Sequence, residues 1–220
     1  MGAKQEIERT IGKISGRYSA YEVFSDWIRC CAISISQAVT PIHDKIWHDR
    51  EKLYADTASR YLPEEQEEFA RMFVLLGDAL TEDLTDVLGE IYMEMGMGSK
   101  TTGQFFTPFH LGELTARMGL DLEPAEGGKI HLNEPTCGGG AMIIAAAKIL
   151  RDRGENYQKL LKVVAQDLDW KGVYMCYLQL SLLGIDAVIA QGDTLMEPYT
   201  GPGYPRERIL RTPMNMGVLM

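Results

Sequence analysis

Three short segments in the second half of the chain carry residues that could do chemistry. Lys129-Ile-His-Leu-Asn-Glu-Pro135 is followed by Thr136-Cys137-Gly138-Gly139-Gly140 and then at once by a helical stretch. Glycines at such a junction let the backbone turn tightly and approach a ligand, and the amides at the helix start face it. The turn reads equally as part of a nicotinamide or flavin fold, or as a purely structural bend. A second apolar run ends in Gln166-Asp167-Leu168-Asp169. Asp167, directly behind Val163-Val164-Ala165, is placed to accept hydrogen bonds from two ribose hydroxyls. Asp169 reads as the cap of the next helix. A third run ends in Gln191-Gly192-Asp193-Thr194. Asp193 alone reads as a turn residue or as the partner of an adenine amine. Together the three strand ends converge where open α/β sheets bind ligands, which favours the nucleoside reading.

Upstream, Gly-Gln-Phe-Phe-Thr-Pro occupies residues 103–108, ahead of a helical stretch from His110 to Met118. Phe106, Thr107 and Pro108 could cap a ligand with an aromatic wall and a hydroxyl, or simply staple a helix start. Cys137 reads as an ordinary member of the glycine loop, since no neighbouring base activates it.

These residues need a frame, and the pattern supplies one. Apolar runs over Lys129–Pro135, Leu161–Asp167 and Ala187–Asp193 alternate with helical stretches over Ala141–Arg153 and Trp170–Leu183. That order predicts a three-stranded parallel sheet in an α/β unit spanning residues 101–220. Residues 1–100 read as a separate domain of four or five helices. Ser19 and Glu22 have capping-box spacing, and Phe24, Trp27, Ile28, Cys31, Ile35 and Val39 mark one buried face. Pro41 is read as the first residue of the next helix, with Ile42, Ile46, Leu53 and Tyr54 inward. Pro63-Glu64-Glu65 opens another, and Phe69 to Leu80 and Leu84 to Met95 continue the pattern. Trp47 and Met93 read as core or interface.

The 220 residues carry a net charge of -9. Residues 1–102 hold 11 Lys+Arg against 18 Asp+Glu, and residues 103–220 hold 11 against 13. So acidic a surface repels polyphosphate, and DNA contact is expected to need a local basic patch, such as Arg206 to Arg211, or a partner. Cys30, Cys31, Cys137 and Cys176 have no zinc-site spacing and read as reduced thiols. With no signal peptide and no membrane-length apolar run, the expected location is the cytoplasm.

In order and spacing, Gly103–Pro108, Glu134–Gly140, Gln166–Asp169 and Gly192–Leu195 resemble the gamma-class adenine-N6 DNA methyltransferases, closest to the modification subunit of type I restriction systems. The resemblance implies a Rossmann-like S-adenosylmethionine-dependent fold behind a helical domain. It implies that Phe106, Thr107 and Pro108 border the methionine part of S-adenosylmethionine, with Gln104 and Phe105 also in the cofactor site. Glu134, Pro135, Cys137, Gly138, Gly139 and Gly140 would hold its amino-acid and ribose portions, Asp167 the ribose hydroxyls and Asp193 the adenine amine. The family's Asn/Asp-Pro-Pro-aromatic motif accepts hydrogen bonds from the target amine and stacks on the flipped base. Here Tyr204-Pro205 and Thr212-Pro213-Met214-Asn215 do not match it, so no catalytic residue is assigned. The expected function is a cofactor-binding relative inactive alone. The alternatives are an active subunit completed by another chain and a different nucleotide-binding or interaction module. The first strand's parallel edge then needs a cover: the tail from Arg208 to Met220, through a strand at 217–219, a second copy, or a partner subunit.

Overall fold

Five helices open the chain, and the reasons they form are local. A computed structural model describes residues 2–98, 106–119, 122–125 and 128–217. The helices are α1 (Ala3–Ile14), α2 (Ala20–Val39), α3 (Lys45–Ala58), α4 (Pro63–Glu82) and α5 (Val87–Glu94). Ser19 accepts from the Glu22 amide at 3.2 Å while Glu22 accepts from the Ser19 amide at 2.9 Å, closing the capping box that starts α2. Phe24, Trp27 and Ile28 are buried as their spacing requires, and Cys31, Ile35 and Val39 are half-buried. The Trp27 indole donates to the Phe69 carbonyl at 3.1 Å and ties α2 to α4. Asp26, buried beneath this pair, accepts from Arg60, Tyr61 and Arg29, so its charge is compensated.

The third helix departs from expectation. It starts at Lys45, because Asp44 accepts from the Trp47 amide at 3.1 Å and is the better cap. Pro41 only ends the preceding turn. Ile42, Leu53 and Tyr54 are exposed and Ile46 is half-buried. α3 lies at the periphery, held to α2 by polar contacts such as the Gln37 amide on the Trp47 carbonyl, and needs no continuous apolar face. Trp47 stacks on His43 at 4.1 Å.

The second half alternates as predicted. It runs α6 (Phe109–Gly119), β1 (Ile130–Glu134), α7 (Ala141–Asp152), the single turn α8 (Tyr157–Leu160), β2 (Leu161–Asp167), α9 (Trp170–Leu182) and β3 (Asp186–Gln191). A 3-10 turn (Arg206–Arg208) and β4 (Ile209–Arg211) come last. Strand order is β1-β2-β3-β4. The first three strands are parallel, with Glu134 opposite Ala165 and Asp167 opposite Gln191, so their carboxyl ends open on one side. Residues 171–181 of α9 are all buried, as befits a helix with neighbours on every side. α9 packs on β2 and β3 and is covered by α2. The core runs without a break from Ile7 to Leu210.

The sheet has four strands, not three, and the tail lies on the opposite edge from the one expected. β4 is antiparallel to β3, with Ile189 opposite Leu210. No strand pairs with the outer edge of β1 among the described residues, and residues 218 and 219 of the anticipated terminal strand lie outside them. Thr212 explains the choice. Its side chain, fully buried, accepts from the Ala187 amide at 3.0 Å and donates to the Ile185 carbonyl at 2.7 Å. Thr212 thereby pins the tail to the start of β3. Thr212→Val keeps the shape and strands two buried backbone groups, so it is expected to cost about 1–3 kcal/mol in urea unfolding. A loss below about 0.5 kcal/mol would mean the pin contributes little.

Candidate functional site

The loop between β1 and α7 is shaped by its surroundings. Its Cys137 amide donates to the Gln166 carbonyl of β2 at 2.9 Å, and the Gly140 amide turns back onto the Cys137 carbonyl at 2.7 Å. Gly138 and Gly140 have φ of 50° and 94°, which side chains resist. Gly139 is needed for a different reason. A Cβ there would stand 2.5 Å from the Asp86 carboxylate. Over Gly138 lies the Phe106 ring, 2.8 Å from where a Cβ would be, and that ring meets Tyr92 edge-on at 5.0 Å.

Asp167 faces this loop from the end of β2. Its Oδ2 accepts from the Gly138 amide at 2.8 Å and its Oδ1 from the Asp169 amide at 2.9 Å. Asp169 in turn caps α9 through the Lys171 amide. Gly172 lets α9 pass close by, since a Cβ there would lie 2.9 Å from the Asp167 carboxyl carbon. Glu134, at the end of β1, accepts weakly from the Thr136 amide at 3.3 Å. Burial pushes its carboxyl above the ordinary value, and Asp167 nearby adds to the shift. The Cys176 thiol beside it and burial push Cys137 well up, so it stays a thiol and not a nucleophilic thiolate.

A cavity of 340 Å³ opens between these groups, lined by Asp86, Phe106, Thr107, Glu134, the Thr136–Gly139 loop, Ala141, Met142, Asp167 and Gly172. The anticipated residues Phe106, Thr107, Glu134, Cys137, Gly138, Gly139 and Asp167 meet on its wall. Others stand off it. Gly140 caps α7, the Pro108 carbonyl accepts from the first turn of α6, and the Pro135 carbonyl accepts from Thr194. Asp193 lies past the end of β3, where its Oδ1 accepts from the Leu195 and Met196 amides. Gln104 and Phe105 lie outside the described residues.

Asp86 is the residue that the sequence pattern does not single out. It caps α5 through the Gly89 amide at 2.9 Å, and only 2% of it is exposed. The fully buried Gln179 of α9 donates to Asp86 Oδ1 at 2.8 Å and to the Gly139 carbonyl at 2.7 Å, and accepts from the Leu88 amide at 3.0 Å. Burial pushes the Asp86 carboxyl upward, against the Gln179 and Gly89 hydrogen bonds, and Glu90 reinforces the rise. Its one sequence signal is a helix-cap position beside a glycine. Nothing in that position announces a glycine loop far along the chain.

The cavity wall therefore carries Asp86, Glu134 and Asp167 and, among the described residues, no Lys, Arg or His. Such a wall repels phosphates and suits a ligand that brings positive charge together with hydroxyl and amine donors. A second cavity of 610 Å³, between α5 and α6, shares Asp86, Phe106 and Thr107 with the first and has Met93 on its wall. No cluster of His, Cys, Asp and Glu among the described residues could hold a metal ion.

The model of the N-6 DNA Methylase family matches residues 83–213, more than half of the chain. One similar solved structure is a protein described as a class I S-adenosylmethionine-dependent methyltransferase from Listeria monocytogenes. It has 15% identity and a TM-score of 0.48, over 91% of this chain and 56% of the other. Another is the type I restriction-modification system methyltransferase subunit from Streptococcus thermophilus, with 13% identity and a TM-score of 0.44, over 91% of this chain and 60% of the other. The chain thus spans less than two thirds of the length of either. No curated protein matches.

The buried acid gives a pH-dependent prediction. An acid whose folded pKa is raised adds stability below its unfolded value and loses it as pH rises through the folded one. Relative to Asp86→Asn, wild-type stability should fall as pH rises from about the ordinary 3.8 through the raised value, and the gap should then stay constant. Urea midpoints of both proteins across the acid range measure it. The opposite slope would mean that a cation already compensates Asp86.

Proposed function

The chain belongs to the N-6 DNA methylase family, and from that premise we propose that the cavity at the carboxyl ends of β1 and β2 binds S-adenosylmethionine. The observation that carries this reading is the wall of three carboxylates without a basic residue. S-adenosylmethionine brings a sulfonium and an ammonium against a single carboxylate, so it is net positive, together with two ribose hydroxyls and an adenine amine. A dinucleotide brings a pyrophosphate that the same wall opposes. When bound, the cofactor supplies a methyl group on a positively charged sulfur.

The residues divide its parts among them. Asp167, oriented by the Gly138 and Asp169 amides, takes the ribose hydroxyls with its remaining lone pairs. Gly138 and Gly139 present bare backbone to the chain that joins ribose to amino acid. Phe106 and Met142 line the apolar side and exclude water. Asp193 stands off this wall, past the end of β3, and takes the adenine amine only where the ring reaches beyond the cavity.

Methyl transfer to adenine in DNA is the activity this reading implies, with the acceptor motif supplied from outside residues 1–220. Two features support this. Tyr204 is engaged, its hydroxyl donating to the Gln191 carbonyl at 2.7 Å, and Thr212 is buried under β3. Neither proline segment lies on the cavity wall. The outer edge of β1, unpaired among the described residues, is the place for a partner strand, and a basic partner would supply the DNA contact that a net charge of -9 disfavours. The protein then works in the cytoplasm, where its DNA substrate is.

Calorimetric titration tests the cofactor. S-adenosylmethionine should bind the wild type, and Asp167→Ala, checked for folding by its melting curve, should bind at least about tenfold more weakly. No binding at millimolar ligand, or preference for NAD, would sink the reading. With labelled cofactor and unmethylated DNA, the chain alone should leave no N6-methyladenine. Its appearance would overturn the need for an acceptor motif from outside residues 1–220.

A further inference from the structure

Asp86 has more charge than its structural position requires. As a helix cap it needs only an oxygen, which Asn or Ser would supply without burying a charge. Its partners are neutral: the Gly89 amide and the Gln179 side chain. No ion pair of Asp86 occurs among the described residues, and the charged neighbour that acts on it is another acid, Glu90. Buried carboxylates are ordinarily paired with a cation, as Asp26 is with Arg60 in this same protein. The carboxylate is nonetheless held firmly. Gln179 clamps it to the glycine loop, and both Gly89 and Gly139 give up the space that a side chain would need.

Its place along the cavity says which cation it awaits. The glycine loop separates two acids. Asp167 receives the Gly138 amide, and Asp86 stands over Gly139. Glu134 belongs to the Asp167 end, where the charge of Asp167 acts on its carboxyl. With the ribose at Asp167, the substituent on its 5′ carbon crosses Gly138 and Gly139 toward Asp86. The sulfur is near the start of that substituent and the ammonium near its end. We propose that Asp86 is the counter-ion of the ammonium group at the amino-acid end of the ligand. The inference rests on the S-adenosylmethionine reading given above. It makes α5, and through it the helical half of the chain, part of the cofactor site.

Three ligands separate the possibilities by calorimetry on the full chain. S-adenosylmethionine has both positive groups, S-adenosylhomocysteine keeps only the ammonium, and 5′-methylthioadenosine has neither. Asp86→Asn retains an oxygen for Gly89 and Gln179 and is expected to fold. Asp86→Ser, which also keeps a capping oxygen, is the second variant, and melting curves verify both. The variants should bind the first two ligands at least about tenfold more weakly and the third as the wild type does. Equal wild-type and variant affinity for S-adenosylmethionine would overturn the proposal. So would an equal loss for all three ligands, the mark of a merely structural role. A loss for S-adenosylmethionine alone would move the carboxylate to the sulfonium and overturn the ammonium assignment. If the wild type binds none of the three, the cofactor reading fails and this inference with it. If the wild type binds and the variants do not differ from it, only the inference fails.

Discussion

The side-chain amide of Gln179 joins three parts of the chain that are far apart in sequence. It lies on a helix buried from 171 to 181, donates to Asp86 and to the Gly139 carbonyl, and accepts from the Leu88 amide. A fully buried amide must satisfy both its ends, because an unmade hydrogen bond there has no water to replace it. That requirement fixes the start of α5 against the glycine loop to within hydrogen-bond tolerance. The α2 and α9 packing closes the same junction from the apolar side. The wall of the cavity is therefore set by contacts between the helical half and the sheet half.

This junction decides the electrostatics of the site. A loop of small residues lets backbone approach backbone, and the space gained is filled by a carboxylate from α5 and the ring of Phe106. The result is an acid-walled cavity in an acidic protein. Its acids differ in how they are held. Asp167 accepts from two amides, whereas burial works against charge on Glu134 and Asp86. A cationic ligand relieves both of the latter at once, so charge selection and burial favour the same class of molecule.

Much of this frame was legible in the sequence. The three parallel strands, their connecting helices and the capped start of α2 fall within a residue or two of the expected bounds, because period-two and period-3.6 patterns and caps are local signals. The glycine loop and Asp167 stand out because a tight turn and a strand-end acid are local patterns of residue type. Asp86 does not, since its role depends on a contact with Gly139 that no nearby residue encodes. α3 misled for a related reason. Its apolar residues have the spacing of an inner face, but the helix is held by polar contacts at the periphery, and Leu53 ends up 39% exposed. The tail misled because a three-residue strand carries too little pattern to say which edge it joins, and the deciding hydrogen bonds come from one buried threonine.

The tail's position clarifies how the chain divides its labour. Gln166, buried at the edge of β2, donates to the Glu197 carbonyl and accepts from the Tyr199 amide, while Tyr204 reaches the Gln191 carbonyl. These bonds fold residues 197–204 across the end of β3, and β4 then seals that side of the sheet. Every lining residue of the acid-walled cavity comes from between Asp86 and Gly172. The segment after β3 stabilises the sheet and contributes nothing to that wall. The proline segments after Asp193 are thus occupied as structure, Thr212 by buried backbone and Tyr204 by a strand end. On the reading proposed above, the group that accepts a hydrogen bond from a target amine comes from outside these segments, and the outer edge of β1, unpaired among the described residues, leaves room for it.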